Sequence, residues 1–211
     1  MKYTIDYSAL RAGDVIGTAD TLHPMSWVIR LTCGGVRGLF SASVSSHCLV
    51  VCESGGLMYG MEMGPSKIRM VDLREYEHGR MGNHIVFVGR HVDMTAELGR
   101  LAAWWLHDSH AKAIKYDFVE LLKFWNVPVK DSERRWICSD LPREMFRALG
   151  LRYDPTFETR VFRPLGLRYD PAFETRVFRA LGLRYAPAFE TRVSPYDWQR
   201  SAILEHIHWW R

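Results

Sequence analysis

The sequence predicts an α+β protein: a small antiparallel sheet, helices packed against it, and a helical repeat insertion near the C-terminus. Three observations carry this. Five short apolar or alternating segments fall within the first ninety residues, two segments with helical spacing follow, and a sixteen-residue unit recurs three times late in the chain. Of the 211 residues, 47% are hydrophobic and 13% aromatic, enough for a sizeable core, which sets aside a disordered or fibrous chain.

The strand candidates are DVIGT (14–18), HCLVVCE (47–53), LMYGMEM (57–63), KIRMVDL (67–73) and HIVFVGR (84–90), bounded by Gly, Ser or Asn. Within the second, a period of two puts His47, Leu49 and Val51 on one face and Cys48, Val50 and Cys52 on the other. SGG (54–56) is a good hairpin connection, so the second and third strands meet as cross-strand neighbours. TAELGRLAAWWLHDSH (95–110) and YDFVELLKFW (116–125) have helical spacing, the first opened by Thr95 as N-cap with Glu97 in its first turn. In RRWICSDLPREMFRALG an apolar lead-in meets Ser139, Asp140 and Pro142 before a helical run that ends at Gly150, which puts Cys138 at a helix N-terminus.

The repeat units are RALGLRYDPTFETRVF (147–162), RPLGLRYDPAFETRVF (163–178) and RALGLRYAPAFETRVS (179–194). A period of sixteen is shorter than the roughly 20–50 residues of solenoids, and copies this close point to in-frame duplication, so two of the three units read as surplus. Each offers a short helix stopped by glycine and then a Tyr-Asp-Pro or Tyr-Ala-Pro turn. The segment holds nine Arg against five acidic residues, a surplus equal to the whole formal net charge of +4. Interleaved Arg and Tyr suggest a nucleic-acid surface, but Glu or Asp interrupts every unit, and no nucleic-acid partner is expected.

The opening MKYTIDYSALRAGD has no apolar stretch of signal-peptide length, and no later segment approaches the roughly eighteen apolar residues of a membrane span. A cytoplasmic protein is the expectation. Cys33, Cys48, Cys52 and Cys138 are too few and too spread for a disulfide framework, which leaves free thiols for nucleophilic chemistry.

Cys138 is the first candidate. The backbone N–H groups and positive dipole end of a helix N-terminus stabilise a thiolate and can hold a developing oxyanion; the same context also suits a buried core thiol. His47, at a strand end, is well placed to meet a helix terminus, and Glu62 is a carboxylate among apolar neighbours one hairpin away, suited to orient an imidazole. Read locally, His47 fits a structural histidine and Glu62 a solvated edge residue equally well. HDSH (107–110) with His78, His84 and His91 lacks a third ligand at motif spacing, and Cys48 and Cys52 lie about 13 Å apart at strand rise, too far to share an ion. No metal or other cofactor is expected. The paired tryptophans suit helix packing, although the terminal IHWWR leaves room for peripheral lipid contact.

RAGDVI (11–16), SSHCLVV (45–51), the Glu of GMEMG (60–64), KYDF (115–118) and WICSDL (136–141) occur in the order seen in YiiX/YaeF-like proteins, and VSPYDWQRSAIL (193–204) resembles their C-terminal segment. The chain therefore resembles the permuted branch of the NlpC/papain-like and lecithin:retinol acyltransferase-like superfamily, outside the repeats. The resemblance implies a circularly permuted papain-like sheet, with residues 1–150 as the catalytic domain, 147–194 as the repeats and 195–211 as a C-terminal helix completing the domain. It implies Cys138 as nucleophile, His47 as base and Glu62 as orienting acid, with Tyr116 and Ser139 lining the site or serving the oxyanion. It implies a hydrolase that cleaves an amide or ester of a peptide or acyl substrate through an acyl-enzyme. A lipid acyltransferase or thioesterase is the neighbouring reading, and a non-catalytic binding protein that keeps the fold is the rival from another class.

Overall fold

The computed structural model describes residues 4–20, 26–27, 29–30, 44–77, 83–117, 135–151, 198–199, 201 and 203–208. Eight strands and three helices are named among them: β1 (Val15–Asp20), β2 (His47–Ser54), β3 (Leu57–Met63), β4 (Ile68–Val71), α1 (Arg74–Glu77), β5 (Asn83–His91), α2 (Ala96–Ala111), β6 (Lys115–Tyr116), β7 (Arg135–Trp136), α3 (Asp140–Ala148) and β8 (Leu204–His206). Six of the strands form one antiparallel sheet in the order β4-β3-β2-β1-β5-β8, and β6 and β7 pair in parallel.

Local chemistry accounts for the central ladder. Gly55 and Gly56, at φ +60° and +77°, make the two-residue turn between Ser54 and Leu57 and so set the β2–β3 register. Gly17 in β1 has a different role, because a Cβ there would come within 1.9 Å of Phe87 Cε1. The β1–β5 register shifts beside it, between Gly17 and Thr18, so the ring crosses β1 at the one residue that leaves it space.

The alternation along β2 divides the core. Cys48, Val50 and Cys52 face a cluster with Val15, Met61, Ile68 and Phe87, covered by Ala102 and Leu106 of α2, by Leu141, Met145 and Phe146 of α3, and by Trp198. Leu49 and Val51 face a second cluster with Ile5, Leu10, Ile16, Leu73, Tyr76 and Val88. Each large apolar side chain buried this way contributes about 1.5–3 kcal/mol.

The helix ends follow the expected chemistry. Thr95 Oγ1 accepts from the Leu98 N–H at 3.2 Å, and α2 buries Gly99, Ala102, Leu106 and Ser109. Past α3, Gly150 at φ +69° lets the Leu151 N–H reach the Phe146 carbonyl at 2.8 Å, a Schellman closure. The Gly-Asp pair near the N-terminus is structural: fully buried Asp14 takes two hydrogen bonds from Arg90, each 2.8 Å, and one from the Arg11 N–H at 2.8 Å.

Three expectations need correction or fall outside the described residues. The fourth strand stops at Val71, and the chain turns through Asp72 and Leu73 into α1, a helix with no clear sequence signal. Of the C-terminal helix expected over 195–211, Trp198 and Gln199 are helical, but Leu204–His206 form a strand. Its backbone pairs with the open edge of β5, and Gly89 admits Leu204 so closely that a Cβ there would lie 3.0 Å from Leu204 Cβ. Of the helix expected over 116–125, Tyr116 belongs to β6 and 118–125 lie outside the described residues, as do Cys33, His78 and the repeats from 152 onward. No helix among the described residues is long and apolar enough to cross a membrane.

Candidate active site

A cavity of about 380 Å³ opens at the end of the sheet where β2 begins and β3 finishes, and its lining includes His47, Glu62, Arg69, Tyr76, Tyr116 and Cys138. His47, the first residue of β2, and Glu62, near the end of β3, lie on the face shared with Leu49, because Leu49 is the residue opposite Glu62. Cys138 belongs to the cluster on the other face and directly precedes the N-terminal turn of α3. The two faces meet only at the sheet end, and the cavity lies there.

Glu62 is the most heavily bonded group in the cavity. It is 2% exposed, and its Oε2 accepts from His47 Nε2 at 2.8 Å and from the Tyr76 hydroxyl at 2.5 Å. Its Oε1 accepts from Arg69 Nε at 2.6 Å. Burial alone would push this carboxyl up, but the charge and hydrogen bond of His47, the Tyr76 hydroxyl and Arg69 together hold it at about 2. Burial, and then the Glu62 charge, raise Tyr76 well above the ordinary phenol range, so it stays a neutral donor.

His47 completes the chain of contacts. Burial opposes its charged form, yet the charge of Cys138, then that of Glu62, and hydrogen bonds to both raise the imidazole to about 10. With Nε2 engaged by Glu62, Nδ1 is the nitrogen left for the Cys138 sulfur. Cys138 itself is 2% exposed, with the cavity along its side.

The remaining expectations divide. Tyr116 lines the cavity with Cys138 and His47. Ser139 does not: it is fully buried, its carbonyl accepts from Trp198 Nε1 at 3.0 Å, and it is absent from the lining, because the turn into α3 directs it inward. Arg69 and Tyr76 were not foreseen. Arg69 was within reach of sequence reasoning, since it is the cross-strand partner of Glu62, but Tyr76 depends on where α1 settles. At the far end of β2, Cys52 lies 3.4 Å from His107 Nε2, and burial pushes its thiol up to about 11. This pair fastens α2 to β2.

No family model matches the chain, and no curated protein does. Among solved structures it is similar to the crystal structure of the metalloprotein YiiX from Escherichia coli O157:H7, with a TM-score of 0.59 and 19% identity, over 94% of this chain and 97% of that one. The chain has a YiiX-like α+β fold. The donor set here does not fit a metal cage: both Glu62 oxygens are engaged by Arg69, Tyr76 and His47, and no group of three or more His, Cys, Asp or Glu among the described residues is arranged to hold an ion.

Proposed function

We propose that this chain is a cysteine-dependent hydrolase of the permuted NlpC/papain-like kind, with Cys138 as nucleophile, His47 as base and Glu62 as the acid that orients it. The observation that carries the reading is the position of His47, its Nε2 bonded to a buried, ionised Glu62 and its side chain lining the same cavity as Cys138. His47 Nδ1 takes the thiol proton, and the thiolate attacks the carbonyl carbon of an amide or ester. The tetrahedral oxyanion rests on the Cys138 backbone N–H, which donates no hydrogen bond within the described residues. Collapse expels the amine or alcohol, which leaves with the proton from His47. Water, deprotonated by His47, then attacks the thioester, releasing a carboxylic acid and restoring the thiol. Tyr116 borders the reacting carbonyl, and an acceptor nucleophile in place of water makes the same acyl-enzyme a transferase.

The test is labelling with a thiol-directed electrophile at neutral pH, read by peptide mass spectrometry. Cys138 reacts much faster than Cys52, and His47→Ala removes the advantage. Equal labelling of the two cysteines, or an unchanged Cys138 rate in His47→Ala, overturns the reading.

A further inference from the structure

The outer edge of β4 carries an arrangement that the hydrolase reading does not use. Lys67, the residue before β4, bridges to Lys115 of β6, and Lys115 is the register partner of Arg135 in β7. Three cationic residues thus occupy adjacent positions across three neighbouring segments, although like charges directly opposite one another destabilise a ladder. Lys67 and Lys115 are exposed, and within the described residues neither has an ion-pair partner. Other exposed cations here do: Lys112 pairs with Asp108, and Arg74 with Asp72.

The arrangement lies beside the cavity, whose lining takes in Gly64, Pro65, Arg69 and Tyr116 but neither lysine. Lys67 is two positions before Arg69, so the alternation places both on one face, and the Gly64 N–H bonds the Lys67 carbonyl at 2.9 Å across the turn that forms the cavity lip. The Arg69 side chain is 56% exposed, and the donors it does not commit to Glu62 remain available.

We propose that this rim is a subsite for an anionic group of the substrate, a carboxylate or a phosphate, held by Lys67 and Lys115 and finished by the outer edge of Arg69. The inference rests on the hydrolase reading and narrows it to acyl compounds that carry a negative charge a few bonds from the scissile carbonyl. A bound anion relieves the repulsion between opposed lysines, so the cost of the arrangement without ligand is recovered as binding.

The experiment compares acylation of Cys138 in the full chain by three 4-nitrophenyl esters: neutral valerate, monoanionic glutarate, and 4-phosphonobutyrate. At low salt one of the charged esters acylates roughly tenfold faster than valerate, about 1.4 kcal/mol. The ratio falls to near one in the Lys67→Gln/Lys115→Gln variant and in 1 M salt, where the Debye length is about 3 Å, while Arg100→Gln on α2 leaves it unchanged. The faster of the two charged esters identifies the anion. Equal rates for all three, or a preference that survives the double variant, overturns the subsite. If no ester acylates Cys138, the hydrolase reading fails instead, and calorimetric titration with glutarate and methyl phosphate decides the subsite. Saturable binding of either, weakened roughly tenfold in the double variant, supports it, and no saturable binding overturns it.

Discussion

His47 reaches Glu62 on the diagonal of the β2–β3 ladder: Leu49 stands opposite Glu62, His47 lies two positions further along the same face, and the ring closes the gap at 2.8 Å. Direct neighbours across a ladder would press the two side chains together. The diagonal offset of about 7–8 Å instead lets the imidazole lie along the sheet end, in the cavity that Cys138 also lines.

Glu62→Gln keeps the size of the side chain and removes its charge. Turnover falls by on the order of 10²–10⁴-fold, the range for a residue that sets the tautomer and charge of a base, while the thermal midpoint moves little. Steady-state rates beside a melting curve check this, and equal rates assign Glu62 to structure alone.

Cys138→Ala lowers the pKa of His47. The Cys138 charge is the first of the influences that raise the imidazole, against burial, to about 10, and removing it leaves Glu62 alone to oppose burial. Proton NMR of the His47 ring follows the titration in parent and variant, and an unshifted midpoint shows that sulfur and ring do not interact.

The Glu62 carboxyl, held at about 2 against an ordinary 4.5, contributes stability that is fully present above pH 4.5 and is lost as pH falls through about 2. Between those limits the melting temperature of Glu62→Gln falls less steeply with acid than that of the parent. Parallel melting curves across the window contradict it.

Tyr76→Phe removes a buried donor to a charged acceptor and costs about 1.5–3 kcal/mol in stability. It also leaves Oε2 to His47 alone, so the acid limb of the activity profile moves to higher pH. Urea unfolding and a pH-rate profile read the two effects separately.

Removing 163–194, so that FETRVF joins PYDWQRS, deletes two repeat units, six Arg and three acidic residues. The shortened chain folds and retains Cys138 labelling, with a formal charge lower by three. Loss of solubility or of labelling shows that the surplus units are built into the core.

Local periodicity determined much of this protein. The faces of β2, the hairpin at Gly55 and Gly56, the Thr95 cap and the Gly150 stop all follow from spacings of two, three or four residues, which backbone geometry translates directly into structure. Glu62 beside His47 was legible for the same reason, since a short hairpin preserves register. The placement of Tyr76, the inward turn of Ser139 and the strand at Leu204–His206 were not legible. Each depends on partners far away in sequence: Glu62 for Tyr76, Trp198 behind Ser139, and the open edge of β5 for β8. Ninety-one positions separate His47 from Cys138, and no periodicity spans that distance. Their placement in one cavity was decided by the packing of α3 against β2, because burying Leu141, Met145 and Phe146 on the sheet brings the helix N-terminus to the strand end where the histidine stands.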